Sequence, residues 1–242
     1  MLIEPEGRSG PDNMALDQAL LEEADASGAA FLRLYRWNPP CLSFGRNEPA
    51  LARYDREAIA ARGLAVVRRP TGGRAVWHEH EVTYAVAAPV GPFGSLTESY
   101  CDIHARLARA LRALGVDARL APAGPSAPLG AGACFAASAG GEVLVGGRKV
   151  VGSAQVRHGT AFLQHGSILL DGSQDVVRAV SHQPSAVTET TLAKELGRPV
   201  TFDEVADAIV AAWDEPFGAA APYRPLPSST ARFSDPSWIW RR

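Results

Sequence analysis

A cysteine and a lysine near the centre of the chain are the residues best suited to covalent chemistry. Cys134 follows a loop rich in proline, glycine and alanine (residues 121–133), and Lys149 comes soon after it. The thiolate is the nucleophilic form of cysteine, and a nearby ammonium lowers the pKa of a thiol from about 8.5. We therefore predict that Cys134 is a nucleophile activated by Lys149. Cys41 and Cys101 have apolar neighbours and are interpreted as core residues.

A second candidate is the turn that carries Gly72 and Gly73, within the segment RRPTGGR (residues 68–74). Because glycine has no Cβ, a ligand can approach this backbone closely and meet its N–H groups. The arginines of the segment are suited to hold a carboxylate or a phosphate. The alternative is an ordinary hairpin turn with solvated arginines. The segment is not a Walker phosphate-binding loop, because the Gly-Lys-Ser/Thr ending is absent.

The histidines do not predict a metal centre. His78 and His80 alternate on a predicted strand and therefore share a face, but no third ligand is evident, so no zinc site is expected. His165 lies in the middle of another predicted strand, where a histidine is more often a hydrogen-bonded core residue than a catalyst.

Composition limits the class of protein. The chain has 242 residues, of which 46% are hydrophobic and 21% charged, as expected for one large globular domain or two small ones. The formal net charge is −2, so no global positive field attracts nucleic acid. Three cysteines without a CxxC pair predict no disulfide framework. Neither a signal peptide nor an apolar run of about 20 residues is evident, so we expect a cytoplasmic protein that does not cross a membrane.

Short strands and helices must position these residues. Predicted strands cover residues 31–37, 41–44, 64–68, 74–89, 142–145, 149–156 and 161–170, the last two joined at His158-Gly159. Predicted helices cover residues 12–26, 48–62, 95–114, 175–180, 191–196 and 201–213. Helices and hairpins are mixed without regular βαβ alternation. This order indicates an α+β fold with a largely antiparallel sheet.

Two segments together resemble one superfamily, which contains lipoate–protein ligases, biotin ligases and octanoyltransferases. The segments are RRPTGGRAVWHEHEVTYAV (residues 68–86) and CF…GRKVVGSAQVRHGTAFLQHGSILL (residues 134–170). The resemblance extends from Asn13 to about Val187, and it is closest to the cysteine-dependent octanoyltransferases. It implies a mixed, largely antiparallel sheet flanked by helices, like the catalytic domain of biotin protein ligase. Residues 1–242 would form a single acyltransferase domain, with 188–242 as a helical C-terminal extension that packs on the core.

The resemblance also implies an activity and its partners. An octanoyl group would move from acyl carrier protein to a lysine of a lipoyl domain, without a cofactor. The acceptor would be glycine cleavage H protein or the acyltransferase subunit of a 2-oxoacid dehydrogenase. The catalytic residues would be Cys134 and Lys149. The substrate-binding residues would be Arg69, Thr71, Gly72, Gly73, Arg74, His78, Val151, Gly152, Ser153, Ala154 and His165. Val76 would line the acyl tunnel with Val151 and Ala154.

Departures from the family patterns bear on the alternatives. ATP-using ligases typically have a third glycine where Arg74 stands here, which favours a transferase that needs no adenylate. The transferase pattern usually has an aspartate at the position of Glu79, so the role of this residue stays open. An ATP-dependent lipoate ligase, an amidotransferase between lipoyl proteins and a non-enzymatic acyl-binding module are the alternatives. Because carrier proteins of this pathway are acidic, we expect Arg148 and Arg157 to form a basic docking rim.

Overall fold

A computed structural model describes residues 1–122, 141–184, 189–213 and 229–241 of the chain. Cys134, the predicted nucleophile, lies outside the described residues. The strands are β1 (Leu2–Arg8), β2 (Phe31–Trp37), β3 (Cys41–Phe44), β4 (Ala65–Arg68), β5 (Val76–His78), β6 (Glu81–Pro89), β7 (Ala118–Leu120), β8 (Val143–Val145), β9 (Arg148–Lys149), β10 (Val151–His158) and β11 (Ala161–Leu169). The helices are α1 (Gly10–Ser27), α2 (Ala50–Arg53), α3 (Arg56–Ala61), α4 (Leu96–Ala113), α5 (Asp175–Ala179), α6 (Leu192–Leu196), α7 (Phe202–Ala212), α8 (Ala231–Ser234) and α9 (Pro236–Ile239).

The main sheet has the strand order β1-β2-β6-β11-β10. Its β1–β2 pair is parallel, whereas the other three pairs are antiparallel. Two smaller sheets have the orders β4-β3-β5 and β7-β8-β9. The β10–β11 hairpin turns after His158, at the predicted position. The predicted α+β fold with a mixed, largely antiparallel sheet is therefore confirmed.

Helices cover both faces of the main sheet. Successive residues of a strand point to opposite faces, and Tyr84 and Ala85 of β6 show the consequence. Tyr84 and Leu34 share one core with α4 and α7. Ala85 and Tyr35 belong to a second core, which α1 closes from the other side. A third apolar cluster packs around β3 and β5.

Helix α1 begins earlier than the sequence predicts. Its cap is Ser9, whose hydroxyl accepts a hydrogen bond from the N–H of Asp12. Asn13, within the first turn of α1, donates from its amide to the carbonyls of Arg8 (3.1 Å) and Arg36 (3.0 Å). This side chain ties the first turn of α1 to the ends of β1 and β2.

Two predicted elements are each divided in the structure. The helix predicted over residues 48–62 consists of α2 and α3, because Asp55 interrupts it and caps α3 through the N–H of Ala58 (2.9 Å). The strand predicted over residues 74–89 consists of β5 and β6, which belong to different sheets. The break falls at Glu79 and His80, where the His80 carbonyl accepts from the N–H of Leu170 (2.9 Å). Because of this break, one segment of the chain contributes a strand to each of two sheets.

The helices after residue 188 pack on the rest of the fold. Phe202, Val205 and Ile209 of α7 are buried in the same core as α4. Phe233 of α8 packs in the core beneath α1, and Ile239 of α9 packs near β3. Among the residues that the structure describes, no helix has the length and apolar character needed to cross a membrane.

Candidate active site

A cleft lies between the main sheet and the β4-β3-β5 sheet, with about 310 Å³ of empty space when its opening to solvent is included. It is built from β2, β5, β6, β10 and β11, together with a residue that follows β4. Six of the predicted substrate-binding residues line it: Arg69, His78, Gly152, Ser153, Ala154 and His165. Val76, predicted as a tunnel residue, lines it as well. The cleft therefore brings together residues from both segments that carry the family resemblance.

Val151 does not line this cleft. Its side chain is fully buried in the core shared with α4 and α7. The reason is strand alternation: Gly152 and Ala154 face the cleft, so the side chains of Val151 and Ser153 point to the other face of β10, where the Ser153 hydroxyl meets Tyr84 and His104. The predicted tunnel role of Val151 is not supported by this placement.

Arg69 supports the Gly72-Gly73 turn through hydrogen bonds to main-chain carbonyls. The Arg69 guanidinium donates to the carbonyls of Ser43 (3.0 Å), Gly72 (3.1 Å) and Arg74 (2.8 Å). Gly73 has a φ of 87°, a conformation that side chains rarely adopt. The turn is therefore fixed in shape before any ligand arrives.

Arg68 has a structural role in the same region. It is fully buried and donates to the carbonyls of Gly45 (2.6 Å), Glu48 (2.7 Å) and Ile239 (3.0 Å). Because its donors are directed at the main chain, Arg68 braces the loop that follows β3. The anion-binding role expected of the arginines in this segment does not fall on Arg68.

His165 is held by a buried polar network. Its Nε2 lies 2.6 Å from Thr71 Oγ1, and its Nδ1 lies 2.8 Å from Asp17 Oδ2. Asp17 also accepts from Arg33 (2.8 Å) and Tyr35 (2.9 Å). Burial lowers the pKa of His165. Burial alone would raise the pKa of Asp17, but the hydrogen bond from His165 and the charge of Arg33 outweigh it and lower that pKa.

His78 is held in a similar way on the opposite wall. Its Nε2 lies 2.6 Å from Ser43 Oγ, and its Nδ1 lies 2.8 Å from Glu81 Oε1. The ring stacks on Trp37 with a centroid distance of 4.0 Å. Since a carboxylate only accepts, Nδ1 of the neutral ring carries the proton and Nε2 accepts from the Ser43 hydroxyl. His80, predicted on the same face, follows the end of β5 and is exposed.

Lys149, the predicted partner of the nucleophile, forms a buried ion pair. Its Nζ lies 2.6 Å from Glu142 Oε1, and the two residues are only 3% and 4% exposed. An ammonium is stable in a protein interior only when it is paired. The pair lies near His104 of α4, since the charge of Lys149 contributes to lowering the pKa of that histidine.

The segment that carries Cys134 is joined at its ends beside this ion pair. The N–H of Gly141 donates to the carbonyl of Ala121 (2.9 Å), and the N–H of Ala121 donates to the carbonyl of Glu142 (2.7 Å). Glu142 is the residue whose carboxylate binds Lys149. The chain therefore leaves and re-enters the described fold next to the predicted catalytic lysine.

The other two cysteines differ from each other. Cys41 is buried, as predicted, and burial raises the pKa of its thiol. Cys101 of α4 is exposed, so its interpretation as a core residue is wrong. A helix turns 100° per residue, and Ile103 and His104 occupy the buried side at this point.

Several buried residues behind the site were not singled out by the sequence analysis: Asp17, Glu81, His104 and Glu142. A signal existed for Asp17, which lies four residues after Asn13 and thus on the same face of a helix. For Glu142, the signal was a carboxylate placed next to a glycine pair within a predicted strand. Within the described ranges, no group of histidine, cysteine, aspartate and glutamate side chains is arranged to hold a metal ion.

Comparisons with known proteins agree with the resemblance found in the sequence. The family model described as the lipoyl protein ligase A/B catalytic domain matches residues 9–214. Octanoyltransferase LipM of Kyrpidia tusciae is 41% identical over 228 residues, which cover 86% of this chain and 83% of the relative. Octanoyltransferase LipM of Geobacillus kaustophilus is 34% identical over 262 residues, with 95% and 94% covered.

Solved structures share the fold. Lipoate-protein ligase A bound with ATP has a TM-score of 0.73 at 23% identity, with 87% of this chain and 82% of that chain covered. A bi-partite lipoate protein ligase from Thermoplasma acidophilum has a TM-score of 0.73 at 20% identity, with 99% and 95% covered. From the match over residues 9–214 and the identity to these octanoyltransferases, the chain belongs to the lipoyl protein ligase A/B catalytic domain family.

Proposed function

We propose that this chain is an octanoyltransferase of lipoate biosynthesis, which moves an octanoyl group from acyl carrier protein to a lysine of a lipoyl domain through a thioester on Cys134. The relatives at 33–42% identity are octanoyltransferases. The observation that carries the mechanism is the Lys149–Glu142 ion pair, which lies at the point where both ends of the Cys134 segment meet the fold.

The reaction has two balanced steps. The Cys134 thiolate attacks the carbonyl of the octanoyl thioester, a new S–C bond forms, and the carrier thiol leaves with a proton. The amine of the acceptor lysine then attacks the acyl-enzyme, an amide bond forms, and the Cys134 thiol is released with its proton. Lys149 stabilises the thiolate and moves protons between the two steps. No ATP is needed, because the acyl group arrives already activated as a thioester.

We propose that this cleft binds the acyl chain. Ala154 and Val76 give it apolar surface, and Gly152 leaves the wall of β10 without a side chain. Burial of a methylene contributes about 0.8 kcal/mol, so an eight-carbon chain gains roughly 5 kcal/mol from burial. The polar groups of His78, His165 and Arg69 lie on the same walls and suit the thioester end of the acyl group.

We also propose that residues 1–242 act as one catalytic domain, with residues 188–242 as a C-terminal extension. The support is that α7 shares the core of α4, and that α8 and α9 contribute to cores built by α1 and β3. The acceptor is a lipoyl domain of the glycine cleavage H protein or of a 2-oxoacid dehydrogenase.

An acceptor assay tests the function. Octanoyl acyl carrier protein and an unmodified lipoyl domain are incubated with the protein, and the lipoyl domain is analysed by mass spectrometry. We expect an octanoylated lysine without ATP. A requirement for free octanoate and ATP would instead identify a ligase. Transfer only from an octanoylated lipoyl protein would identify an amidotransferase.

A further inference from the structure

A buried histidine of α4 connects the Cys134 segment to the cleft wall. The side chain of His104 is fully buried, with Nδ1 2.8 Å from the Gly141 carbonyl and Nε2 2.8 Å from Ser153 Oγ. Gly141 is the first described residue after Cys134, and Ser153 lines the cleft. The imidazole ring of His104 therefore forms hydrogen bonds both to Gly141, which follows the Cys134 segment, and to Ser153 of the cleft wall.

The direction of each hydrogen bond in this region follows from its chemistry. The Gly141 carbonyl can only accept, so Nδ1 of His104 carries a proton. In the neutral ring Nε2 is then an acceptor, and it receives the hydroxyl proton of Ser153. The Ser153 oxygen in turn lies 2.6 Å from the hydroxyl of Tyr84, which supplies the next proton.

The direction of these hydrogen bonds is also set at the other end of the series, by Gln164. The amide of Gln164 donates to the Tyr84 oxygen (2.9 Å), and its carbonyl accepts from the amide of Gln155 (2.7 Å). The Tyr84 hydroxyl therefore donates away from Gln164, and Ser153 Oγ at 2.6 Å is a nearer acceptor than His104 Nε2 at 3.4 Å. This direction agrees with the one set by the Gly141 carbonyl at the other end.

A charged His104 does not fit this arrangement. Its Nε2 would carry a proton and donate to Ser153 Oγ, so the Ser153 hydroxyl proton would lose the acceptor that the neutral ring provides. Burial lowers the pKa of His104 to about 4, and the charge of Lys149 acts in the same direction, although the hydrogen bond to Gly141 opposes them. The His104 ring is therefore neutral near pH 7.

Close packing supports the same connection. Gly141 has a φ of 84°, and a Cβ placed on it would lie 3.2 Å from Cys101 Sγ. Cys101 and His104 are three residues apart on α4, so one face of this helix contacts Gly141 twice. The end of the Cys134 segment is therefore held at a defined distance from α4.

We propose that His104 is a positioning residue for acyl transfer, whose neutral, Nδ1-protonated ring fixes Gly141 against Ser153 and so holds the start and end of the Cys134 segment in register with the acyl cleft. This inference rests on the proposed function for the reaction it serves. Loss of the connection leaves the cleft intact but misplaces the nucleophile. A misplacement of about 1 Å can cost roughly 100-fold in rate, so we expect loss of the His104 hydrogen bonds to lower kcat.

Two variants separate the two bonds of His104. In His104→Asn the amide takes the place of Nδ1 and can donate to Gly141, whereas in His104→Gln the carbonyl takes the place of Nε2 and can accept from Ser153. We expect each to slow single-turnover formation of the acyl-enzyme by about 10- to 100-fold. The KM for the octanoyl donor should change less than about twofold. His158→Asn, at the exposed hairpin turn, is the matched control and should behave as wild type.

Nitrogen-15 NMR of the histidine rings in the wild-type protein gives a second readout that needs no variant. We expect the His104 signals to show a protonated Nδ1 and an unprotonated Nε2 from pH 5.5 to pH 8. A ring protonated on Nε2 would overturn the proposal, as would wild-type rates in both folded variants or an equal loss in KM. If the wild-type protein forms no acyl-enzyme, the proposed function fails, and the ring signals still decide the state of His104.

Discussion

Several charged side chains in the interior of this acyltransferase occur in ion pairs. Asp17 is bound by Arg33 and His165, and Lys149 is bound by Glu142. A buried charge without a partner is strongly destabilising, so each pair fixes the geometry of its members. The groups around the cleft are therefore held in place before substrate binds.

The Lys149–Glu142 pair allows stability to be separated from catalysis. Removing one member of a buried ion pair typically costs about 3–5 kcal/mol, because the other charge stays buried. We expect Glu142→Gln and Lys149→Met each to lower the free energy of unfolding by such an amount in urea titrations. The double variant Glu142→Gln/Lys149→Met leaves no charge behind and should lie within about 1 kcal/mol of wild type.

Activity should not follow the same pattern. The double variant lacks Lys149, the lysine proposed to serve the thiolate, so its transfer rate should be as low as that of Lys149→Met. If the stabilised double variant regained wild-type activity, Lys149 would have only a structural role.

At the scale of elements, the active-site turn depends on a second loop packed against it. A Cβ on Gly45 would lie 2.0 Å from the carbonyl oxygen of Gly73, a distance that real Cβ atoms do not adopt. The N–H of Arg46 also donates to the carbonyl of Thr71 (2.7 Å). The loop after β3 is therefore part of the support of the Gly72-Gly73 turn.

Gly45→Ala should displace this turn and lower both stability and kcat/KM for the octanoyl donor. We expect a loss of about 1–3 kcal/mol in the free energy of unfolding, as for overpacked interior sites. Gly91→Ala is the matched control, because a Cβ there meets nothing within 4 Å. Thermal unfolding and donor kinetics of both variants measure the difference. Equal behaviour of the two variants would mean that the turn adapts freely.

Local elements were predicted well from the sequence, because their signals are local. Capping boxes at Ser95 and Thr201 mark the starts of α4 and α7, and His158-Gly159 marks a hairpin turn. The break at residues 79–80 was missed, since continuous strand-forming residues give no sign that the chain changes sheets.

The supporting contacts of the site were not predictable in the same way. The sequence analysis proposed His165 and Lys149 as site residues, but not the partners that hold them. His165 meets Asp17 across 148 positions of sequence, and His104 meets Ser153 across 49. Such pairs form only when the tertiary fold brings distant elements together, and no local pattern records them. Glu142, seven residues before Lys149, was within reach of a local argument.

At the scale of the whole molecule, buried histidines make stability depend on pH. Burial lowers the pKa of His104 to about 4 and also lowers that of His165. Below about pH 6.5 the unfolded chain binds protons that the folded protein does not. The stabilisation is therefore complete above pH 6.5 and is lost as the pH falls towards the folded-state pKa. Asp17, whose pKa is lowered, adds a loss only below about pH 4.

Urea unfolding at pH 7.5, 6.5, 5.5 and 4.5 should show this loss. A shift of one pKa unit corresponds to about 1.4 kcal/mol, so His104 alone accounts for roughly 3 kcal/mol between pH 6.5 and pH 4. His104→Gln should show a shallower dependence in the same interval. A stability that stays constant from pH 7.5 to pH 4.5 would contradict the assignment of neutral buried histidines.

In the whole molecule, two regions take part in the proposed reaction. The main sheet and the β4-β3-β5 sheet form the acyl cleft, while α4, β8 and β9 hold the lysine and the ends of the Cys134 segment. The two regions share one apolar core, in which Tyr84 of the main sheet packs with α4 and β8. The central claim is that a covalent acyl group on Cys134 joins the two.

Intact-protein mass spectrometry after mixing with octanoyl acyl carrier protein, followed by peptide mapping, tests this claim most directly. We expect one octanoyl group on wild-type protein, released by hydroxylamine, located on Cys134 and transferred when a lipoyl domain is added. Cys134→Ala should fold normally and carry no octanoyl group, whereas Cys41→Ala and Cys101→Ala should be acylated as wild type. An active wild-type protein that never carries the group, or a Cys134→Ala variant that transfers at the wild-type rate, would contradict the account.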